Sequence, residues 1–154
     1  MPLIFDARRL LPEGVHDATL EEIEAALASS GRRHTLFDNL KQYVAALDVT
    51  EWGCVLLIDG SFVMPQVREP NDIDSILVMP PDWDWSRKEF RPFEYGVIDK
   101  KSVKRQYKIE VFVVEPGSDK EREFLDLFGK IREEWCDLFG WPKDDRKGIV
   151  RLIK

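Results

Sequence analysis

Cysteine and histidine are scarce in this chain of 154 residues, which contains two of each. Cys54 and Cys136 form no CxxC pair, and His16 and His34 lack the spacing of metal ligands. Disulfide frameworks and zinc sites both require such groupings. The sequence therefore indicates neither, and we expect both cysteines to be reduced and structural.

The N-terminus also lacks a long apolar run. A short apolar group at residues 3–5 is followed at once by Asp6, Arg8 and Arg9. A signal peptide needs about 7–15 apolar residues and a membrane span needs about 20. We therefore expect a cytoplasmic protein without a membrane partner.

The chain has no excess of positive charge. It contains 23 lysines and arginines against 29 aspartates and glutamates, and its formal net charge is -6. Proteins that hold duplex DNA by bulk charge are strongly basic, so we do not expect a duplex DNA clamp. Internal repeats and low-complexity segments are missing as well. The length and a hydrophobic content of 44% fit a single domain, residues 1–154.

Helical signals dominate residues 1–50. Thr19 and Glu22 form a capping-box pattern, and apolar residues follow at helical spacing. Thr35 and Asp38 repeat the capping signal and predict a second helix that starts near Thr35, with one apolar face for packing on a sheet. We therefore interpret residues 1–50 as a helical N-terminal region.

Three short runs predict buried strands within residues 51–115. The first covers residues 54–58 and ends in a tight turn, and the second covers residues 73–78. The third, residues 108–114, is rich in β-branched and aromatic side chains. These strands form the expected centre of the domain.

The other segments predict helices and one more strand. Residues 80–96 carry aromatic side chains among prolines and charges, have no clear period and are expected to be a loop. Helices are expected at residues 99–107 and 119–135, and an edge strand at residues 148–153. The C-terminal region, residues 116–154, thus adds a helix and an edge strand. The fold class is α/β or α+β, with a small mixed sheet of three to five strands flanked by helices.

Two carboxylates lie at the start of the second strand. Asp72 and Asp74 are two residues apart, so strand alternation places both side chains on one face. Like charges beside an apolar surface repel each other and lose hydration, which raises the free energy unless a cation or a proton binds. Mg²⁺ suits such a pair because it prefers one or two carboxylates with phosphate oxygens and water. We therefore predict that Asp72 and Asp74 are Mg²⁺ ligands.

A glycine-serine turn and a third acid extend this pattern. Gly60 allows backbone N–H groups to approach a phosphate closely, and Ser61 adds a small hydroxyl donor. Glu110 interrupts the third strand, where a carboxylate can complete a site of two metal ions about 3.5–4 Å apart and help activate an acceptor hydroxyl. The alternative for Glu110 is a charge on an edge strand that is exposed to solvent. Asp59, directly before the glycine, has two interpretations: an acid that supports the metal ligands from behind, or, as we favour, a turn-forming residue.

Together these elements resemble the DNA polymerase β-like nucleotidyltransferase superfamily, whose pattern is a Gly-Ser turn, about ten residues, an Asp-x-Asp pair and a third acid on a later strand. Here the elements are Gly60-Ser61, residues 72–74 and Glu110. The resemblance is closer to a group of small bacterial proteins of that superfamily, which have similar sequences at the segments that are residues 58–63, 70–74 and 147–150 here.

The resemblance implies a nucleotidyltransferase fold with N-terminal helices, in which residues 51–115 are the catalytic core. It implies Mg²⁺-dependent transfer of a nucleoside monophosphate from an NTP, with ATP the expected donor, to a hydroxyl of a protein or an RNA. Asp72, Asp74 and Glu110 are then the catalytic metal ligands. Several members are antitoxins that modify a partner toxin or simply bind it, so a protein partner of this kind is also implied.

Two departures from the superfamily pattern keep an alternative open. Many active relatives follow Gly-Ser with a helix that carries a basic residue, whereas residues 64–70 contain two prolines, which disfavour a regular helix. The third acid is Glu110 instead of the commoner Asp. A catalytically silent antitoxin or binding module is therefore the alternative function, and a nucleotide sensor that binds NTP and Mg²⁺ without turnover is a third.

Basic residues near these elements are further candidates. Arg68 lies between the phosphate turn and the acid pair, where a guanidinium is expected to reach a triphosphate. A second group lies in the helix predicted before the third strand, and two interpretations stay open for it: contacts to RNA phosphates, or a solvated helix face. Its members are Lys100, Lys101, Lys104, Arg105 and Lys108.

Overall fold

The computed structural model describes residues 2–154, which form a mixed α/β fold of six α-helices around a five-stranded sheet. The strands are β1 (Gly14–Ala18), β2 (Val55–Asp59), β3 (Ile73–Val78), β4 (Ile109–Val114) and β5 (Gly148–Leu152). The helices are α1 (Leu20–Leu27), α2 (Gly31–Thr50), α3 (Pro92–Ile98), α4 (Lys100–Tyr107), α5 (Asp119–Gly129) and α6 (Glu133–Phe139). The expected fold class is confirmed. Within the described part of the chain, no helix has the length and apolar character needed to cross a membrane.

The sheet has the strand order β1-β5-β2-β3-β4. β2 runs antiparallel to both of its neighbours, whereas β1 is parallel to β5 and β3 is parallel to β4. The expectation that residues 148–153 form an edge strand was wrong, because β5 lies between β1 and β2. Ile149 and Val150 are buried there, as suits a strand that is paired on both sides.

β1 is a second departure from the expected structure, since it lies within residues 1–50, which were expected to be helical. It is short and largely exposed, and it gives no clear apolar alternation. Its pairing with β5 runs from Gly14 opposite Gly148 to Ala18 opposite Leu152. The strand is therefore determined by its distant partner more than by local propensity.

The two N-terminal helices were expected, with one boundary different. The capping box of Thr19 and Glu22 begins α1 as expected. α2 begins earlier than Thr35, because the Ser30 hydroxyl accepts a hydrogen bond from the Arg33 N–H at 3.3 Å. The Thr35 hydroxyl instead donates to the Gly31 carbonyl within the helix, at 3.1 Å, so Thr35 does not cap it.

The sheet separates two apolar layers. On one face, α1 to α4 cover a large core that includes Leu40, Tyr43 and Ile58. On the other face, α5 packs Phe124 and Phe128 against apolar side chains of the central strands. Asp74 shares this second face with Ile76, so the acids open towards the α5 side, as strand alternation predicts.

The C-terminal helices differ from the single helix expected over residues 119–135. The chain leaves α5 after Gly129, and a Cβ at Gly129 would lie 2.6 Å from Nη2 of Arg146. The Ile131 N–H then donates to the Asp145 carbonyl at 2.9 Å. This pairing with the segment before β5 separates α5 from α6.

α3 is a further helix that was not expected, because it lies mainly within the predicted loop of residues 80–96.

Candidate active site

The three predicted acids lie together where β3 and β4 begin. Asp74 on β3 is opposite Glu110 on β4 in the parallel register, and Asp72 directly precedes β3. One carboxylate oxygen from each of the three lies within 4.8 Å of the other two. The structure thus brings together carboxylates that are as much as 38 positions apart in the printed sequence.

Two lysines of α4 contact the outer acids of this cluster. Lys104 forms an ion pair with Asp72, and Nζ of Lys100 lies 3.5 Å from Oε1 of Glu110. Nζ of Lys100 also lies 4.0 Å from the ring centroid of Phe112, so the side chain of Lys100 packs against β4. α4 therefore supplies positive charge to the cluster, a contact that neither of the two sequence interpretations, RNA phosphates or a solvated face, included.

Asp74 is the central acid and is 8% exposed. Among residues 2–154, no lysine or arginine forms an ion pair with it. Burial, and then the neighbouring carboxylates of Asp72, Glu110 and Asp59, raise its pKa to about 6, while the charge of Arg132 opposes the rise. The cluster thus carries uncompensated negative charge, and a divalent cation would relieve it.

Gly60 makes close approach to Asp74 possible. It lies directly after β2, has a φ of 81°, and a Cβ there would lie 2.4 Å from Oδ2 of Asp74. Any larger residue would meet both a steric clash and a strained backbone. Ser61 begins a short 3₁₀ helix, Ser61–Val63, so the predicted turn lies against the central acid.

The loop that follows is held by an arginine that the sequence did not single out. Arg33 in α2 is fully buried, and its guanidinium donates only to backbone carbonyl oxygens. The acceptors belong to Leu27, Ser61, Phe62, Met64 and Val67. Burial lowers the pKa of Arg33 to about 10. Its position in a helix gave no local signal, because the partners lie 28 to 34 positions away or at the end of α1.

Residues 64–70 form no regular helix, as their prolines predict. Arg68 is exposed in this loop, and its carbonyl accepts a hydrogen bond from the Ser30 hydroxyl at 2.9 Å. It does not belong to the residues that line the cavity beside the acids. Arg68 is therefore not in the cavity wall, where the expected contact with a triphosphate would require it.

A cavity of about 420 Å³ opens beside the glycine turn and two of the three acids, Asp72 and Asp74, whereas Glu110 does not line it. Asp72, Asp74, Gly60 and Ser61 line one side. Another part of the wall comes from the break between α5 and α6 and from the start of α6. Its polar and aromatic members are Lys130, Arg132, Glu134 and Trp135. The cavity therefore has an acidic end and a wall with two cationic side chains, which the sequence did not assign to the site.

A buried ion pair lies at the base of this cavity. Asp59 and Lys147 are 1% and 3% exposed and form an ion pair that joins the end of β2 to the residue before β5. Nζ of Lys147 also donates to the Phe128 carbonyl at 3.1 Å. Burial raises the pKa of Asp59, and the Lys147 ammonium and the Gly60 N–H oppose that rise. Asp59 is thus more than the turn former that the sequence favoured, and its charge also acts on Asp74.

The family model described as "Family of unknown function (DUF6932)" matches residues 3–153. No curated protein and no solved structure matches the chain. The geometry of the cavity and its acids is therefore the main evidence on what the protein does.

Proposed function

We propose that this chain, which belongs to the DUF6932 family of unknown function, is a Mg²⁺-dependent nucleotidyltransferase. It would transfer a nucleoside monophosphate from an NTP, ATP being the expected donor, to a hydroxyl group of an RNA or a protein. One observation carries the proposal: Asp72, Asp74 and Glu110 present carboxylate oxygens within 4.8 Å of one another beside a glycine turn.

The acid cluster fits a small divalent cation. Metal–oxygen distances for Mg²⁺ are about 2.1 Å, so oxygens on opposite sides of the ion are about 4.2 Å apart. The observed spacing of up to 4.8 Å needs only a small contraction. Lys104 and Lys100 pair with the two outer acids, whereas Asp74 between them forms no ion pair within residues 2–154 and has a raised pKa. The negative charge that a cation would compensate is therefore centred on Asp74.

The rest of the cavity fits a nucleoside triphosphate. Its volume of about 420 Å³ lies in the range of ligand pockets, about 300–1,000 Å³. Gly60-Ser61 would contact the phosphates, and Arg132 and Lys130 across the cavity would take the triphosphate role expected of Arg68. Trp135, on the same wall, offers a ring face for the base.

The chemistry is an in-line displacement at the α-phosphorus. The acceptor oxygen forms a bond to that phosphorus, the bond from the phosphorus to the oxygen shared with the β-phosphate breaks, and pyrophosphate leaves. Glu110 is about a third exposed, at 35% of its side chain, so it can both meet the acceptor hydroxyl and take its proton. Bound Mg²⁺ would supply charge neutralisation and orientation of the phosphates. Such a reaction fits the cytoplasmic location that the sequence predicts, where NTPs and Mg²⁺ are present.

A labelling experiment tests the proposal. The protein is incubated with Mg²⁺ and ATP labelled at the α-phosphate, together with total RNA or with the protein encoded by its neighbouring gene. We expect label to appear on one acceptor and to disappear with Asp72→Asn, Asp74→Asn or chelation of Mg²⁺. Transfer that survives the double asparagine variant, or no transfer to either acceptor, would contradict the proposal.

The second candidate function is a silent antitoxin or binding module. It is favoured by the loop after Ser61, which has a three-residue 3₁₀ helix, whereas many active members of the superfamily that the sequence resembles have a helix carrying a basic residue there. In this case the double asparagine variant would keep a stable complex with a partner such as a toxin, and calorimetry would detect no binding of ATP with Mg²⁺. Binding of ATP with Mg²⁺ that depends on Asp74 would exclude this candidate.

A further inference from the structure

α4 presents an unusual concentration of positive charge for this chain. Residues 100–108 contain five basic residues and no acidic one, whereas the whole chain has a net charge of -6. Lys101 and Arg105 lie four residues apart and are both exposed, so they share one outer face of the helix. Within residues 2–154 neither of them forms an ion pair, although Asp99, which caps α4, lies near enough to feel the charge of Arg105. This face therefore attracts anions.

Exposed aromatic rings lie next to this helix. α3 packs against α4 and exposes Phe93 and Tyr95, at 44% and 51% of their surfaces. The nearby carboxylate of Asp99, at the start of α4, raises the pKa of Tyr95, so the Tyr95 ring lies close to the basic helix. Large apolar rings beside cations are typical of surfaces that stack nucleobases while binding phosphates.

The position of α4 leaves it available to the acceptor. The nucleotide cavity is lined by residues of the glycine turn, residues 69–74 and the break between α5 and α6, and by none of α4 within the described chain. α4 lies instead on the other side of the acids, where Lys104 and Lys100 contact Asp72 and Glu110. A strand of phosphates lying along α4 would therefore deliver its end to Glu110.

We infer that α3 and α4 bind single-stranded RNA and direct its 3′-terminal hydroxyl to Glu110 as the acceptor. This inference rests on the proposed nucleotidyl transfer. The 3′-oxygen bonds to the α-phosphorus of the NTP, its proton passes to the Glu110 carboxylate, and pyrophosphate leaves, so the RNA grows by one nucleotide. Single-stranded RNA fits better than a duplex because α4, with 8 residues, is only about 12 Å long. Outside residues 100–108 the chain has 18 basic residues against 29 acidic ones, so it offers no second strongly basic region for a duplex.

Binding is tested first, in EDTA and without NTP, so that catalysis plays no part. The affinity of a fluorescent single-stranded RNA of mixed sequence is measured by anisotropy at several salt concentrations. We compare Lys101→Glu with Arg105→Glu, combined in one variant, against the control Lys120→Glu with Lys143→Glu. Both variants change the net charge equally, and all four positions are exposed.

The α4 variant is expected to bind the RNA at least tenfold more weakly, and the control variant within twofold of the wild type. The slope of log affinity against log salt should fall by about 1.4 for the α4 variant, since each lost phosphate contact in single strands contributes about 0.7. Equal weakening of both variants, or no binding by the wild type, would overturn the inference.

Transfer is tested next with the same RNA, Mg²⁺ and ATP labelled at the α-phosphate. Label on RNA with a free 3′-hydroxyl, and none on RNA with a blocked 3′-end, supports the acceptor assignment. Label on a protein and not on RNA overturns it. RNA bound through α4 with no transfer to any acceptor refutes the proposed enzyme and the acceptor role, and leaves only the RNA-binding surface.

Discussion

At the residue scale, the position of the Asp74 carboxylate requires a glycine at position 60. Gly60 has a left-handed backbone, and its missing Cβ leaves the space that the Asp74 carboxylate occupies. The register that places Asp59 opposite Asp74 fixes this contact, because it joins the end of β2 to β3. A change at Gly60 should therefore alter the acid cluster as well as the turn.

Gly60→Ala should destabilise the protein by about 2–3 kcal/mol, since it combines a strained φ with a displaced carboxylate. Gly53→Ala is the matched control, because Gly53 has a φ of 75° but no atom within 4 Å of a Cβ. It should cost about 1 kcal/mol. Urea denaturation measures both values. Equal losses for the two variants would show that Asp74 does not require the glycine.

Asp74→Asn should stabilise the protein in EDTA at neutral pH. A folded pKa near 6, against an ordinary value of 3.8, means that the folded state binds this proton more tightly than the unfolded state. The stability associated with this proton is present at low pH and is lost as pH rises through about 6. The cost at neutral pH is about 3 kcal/mol at most.

Thermal unfolding of wild type and Asp74→Asn at pH 5 and pH 7.5 measures this effect. The gain in midpoint temperature should be larger at pH 7.5, by several degrees for a chain of this size. Asp38→Asn, at an exposed position on α2, should produce little change at either pH. A gain that is the same at both pH values would contradict the electrostatic account of the cluster.

The sequence predicted where the acids and the glycine turn lie, because their positions follow from local spacing: strand alternation for Asp72 and Asp74, and a strand end for Gly60. Arg132 and Lys147 could not be identified this way. Their roles depend on the break between α5 and α6 and on the placement of β5, which are tertiary features without a local pattern. For the same reason Arg68 received a role that the cavity wall does not give it.

At the scale of elements, α2 fixes the loop that carries the glycine turn. Arg33 reaches from α2 to the carbonyls of residues 61–67 and to the end of α1. The loop itself has two prolines and only one short 3₁₀ helix, so it has few backbone hydrogen bonds of its own. The buried guanidinium of Arg33 instead donates hydrogen bonds to the carbonyl oxygens of this loop.

Arg33→Met should therefore destabilise the protein by about 3–5 kcal/mol, because several buried carbonyls lose their donors at once. Arg32→Met is the control. Arg32 also donates to two loop carbonyls, those of Pro70 and Asn71, but it is only partly buried. Its loss should cost about 1 kcal/mol. Chemical denaturation measures the free energy of unfolding of both variants. Similar losses of stability would mean that the buried Arg33 does not hold the loop in its conformation.

At the scale of the whole molecule, alternating helices and short apolar runs predicted the α/β class but not the strand order. β1 and β5 are joined across most of the chain, as the hydrogen bond between Asp17 and Arg151 across 134 positions illustrates. Such a pairing leaves no trace in a local window, so the N-terminal strand was expected to be helical and β5 to be an edge. The same order places β3 and β4 side by side, which brings Asp74 and Glu110 together.

The net charge of -6 is also distributed unevenly over the molecule. Acids gather at one end of β3 and β4, while cations lie on α4 to one side and at Lys130 and Arg132 on the other. This arrangement suits a divalent cation bound between two anionic substrates, the NTP and the RNA, as the proposed function requires.

The most direct test is a crystal of the protein soaked with Mn²⁺ and a non-hydrolysable ATP analogue, with data collected for anomalous scattering. The account predicts a manganese peak between the carboxylates of Asp72, Asp74 and Glu110, with the phosphates beside Gly60 and Arg132 and with Lys104 moved away from Asp72. It would be contradicted by an analogue bound elsewhere, or by carboxylates that keep their lysine contacts and show no manganese peak.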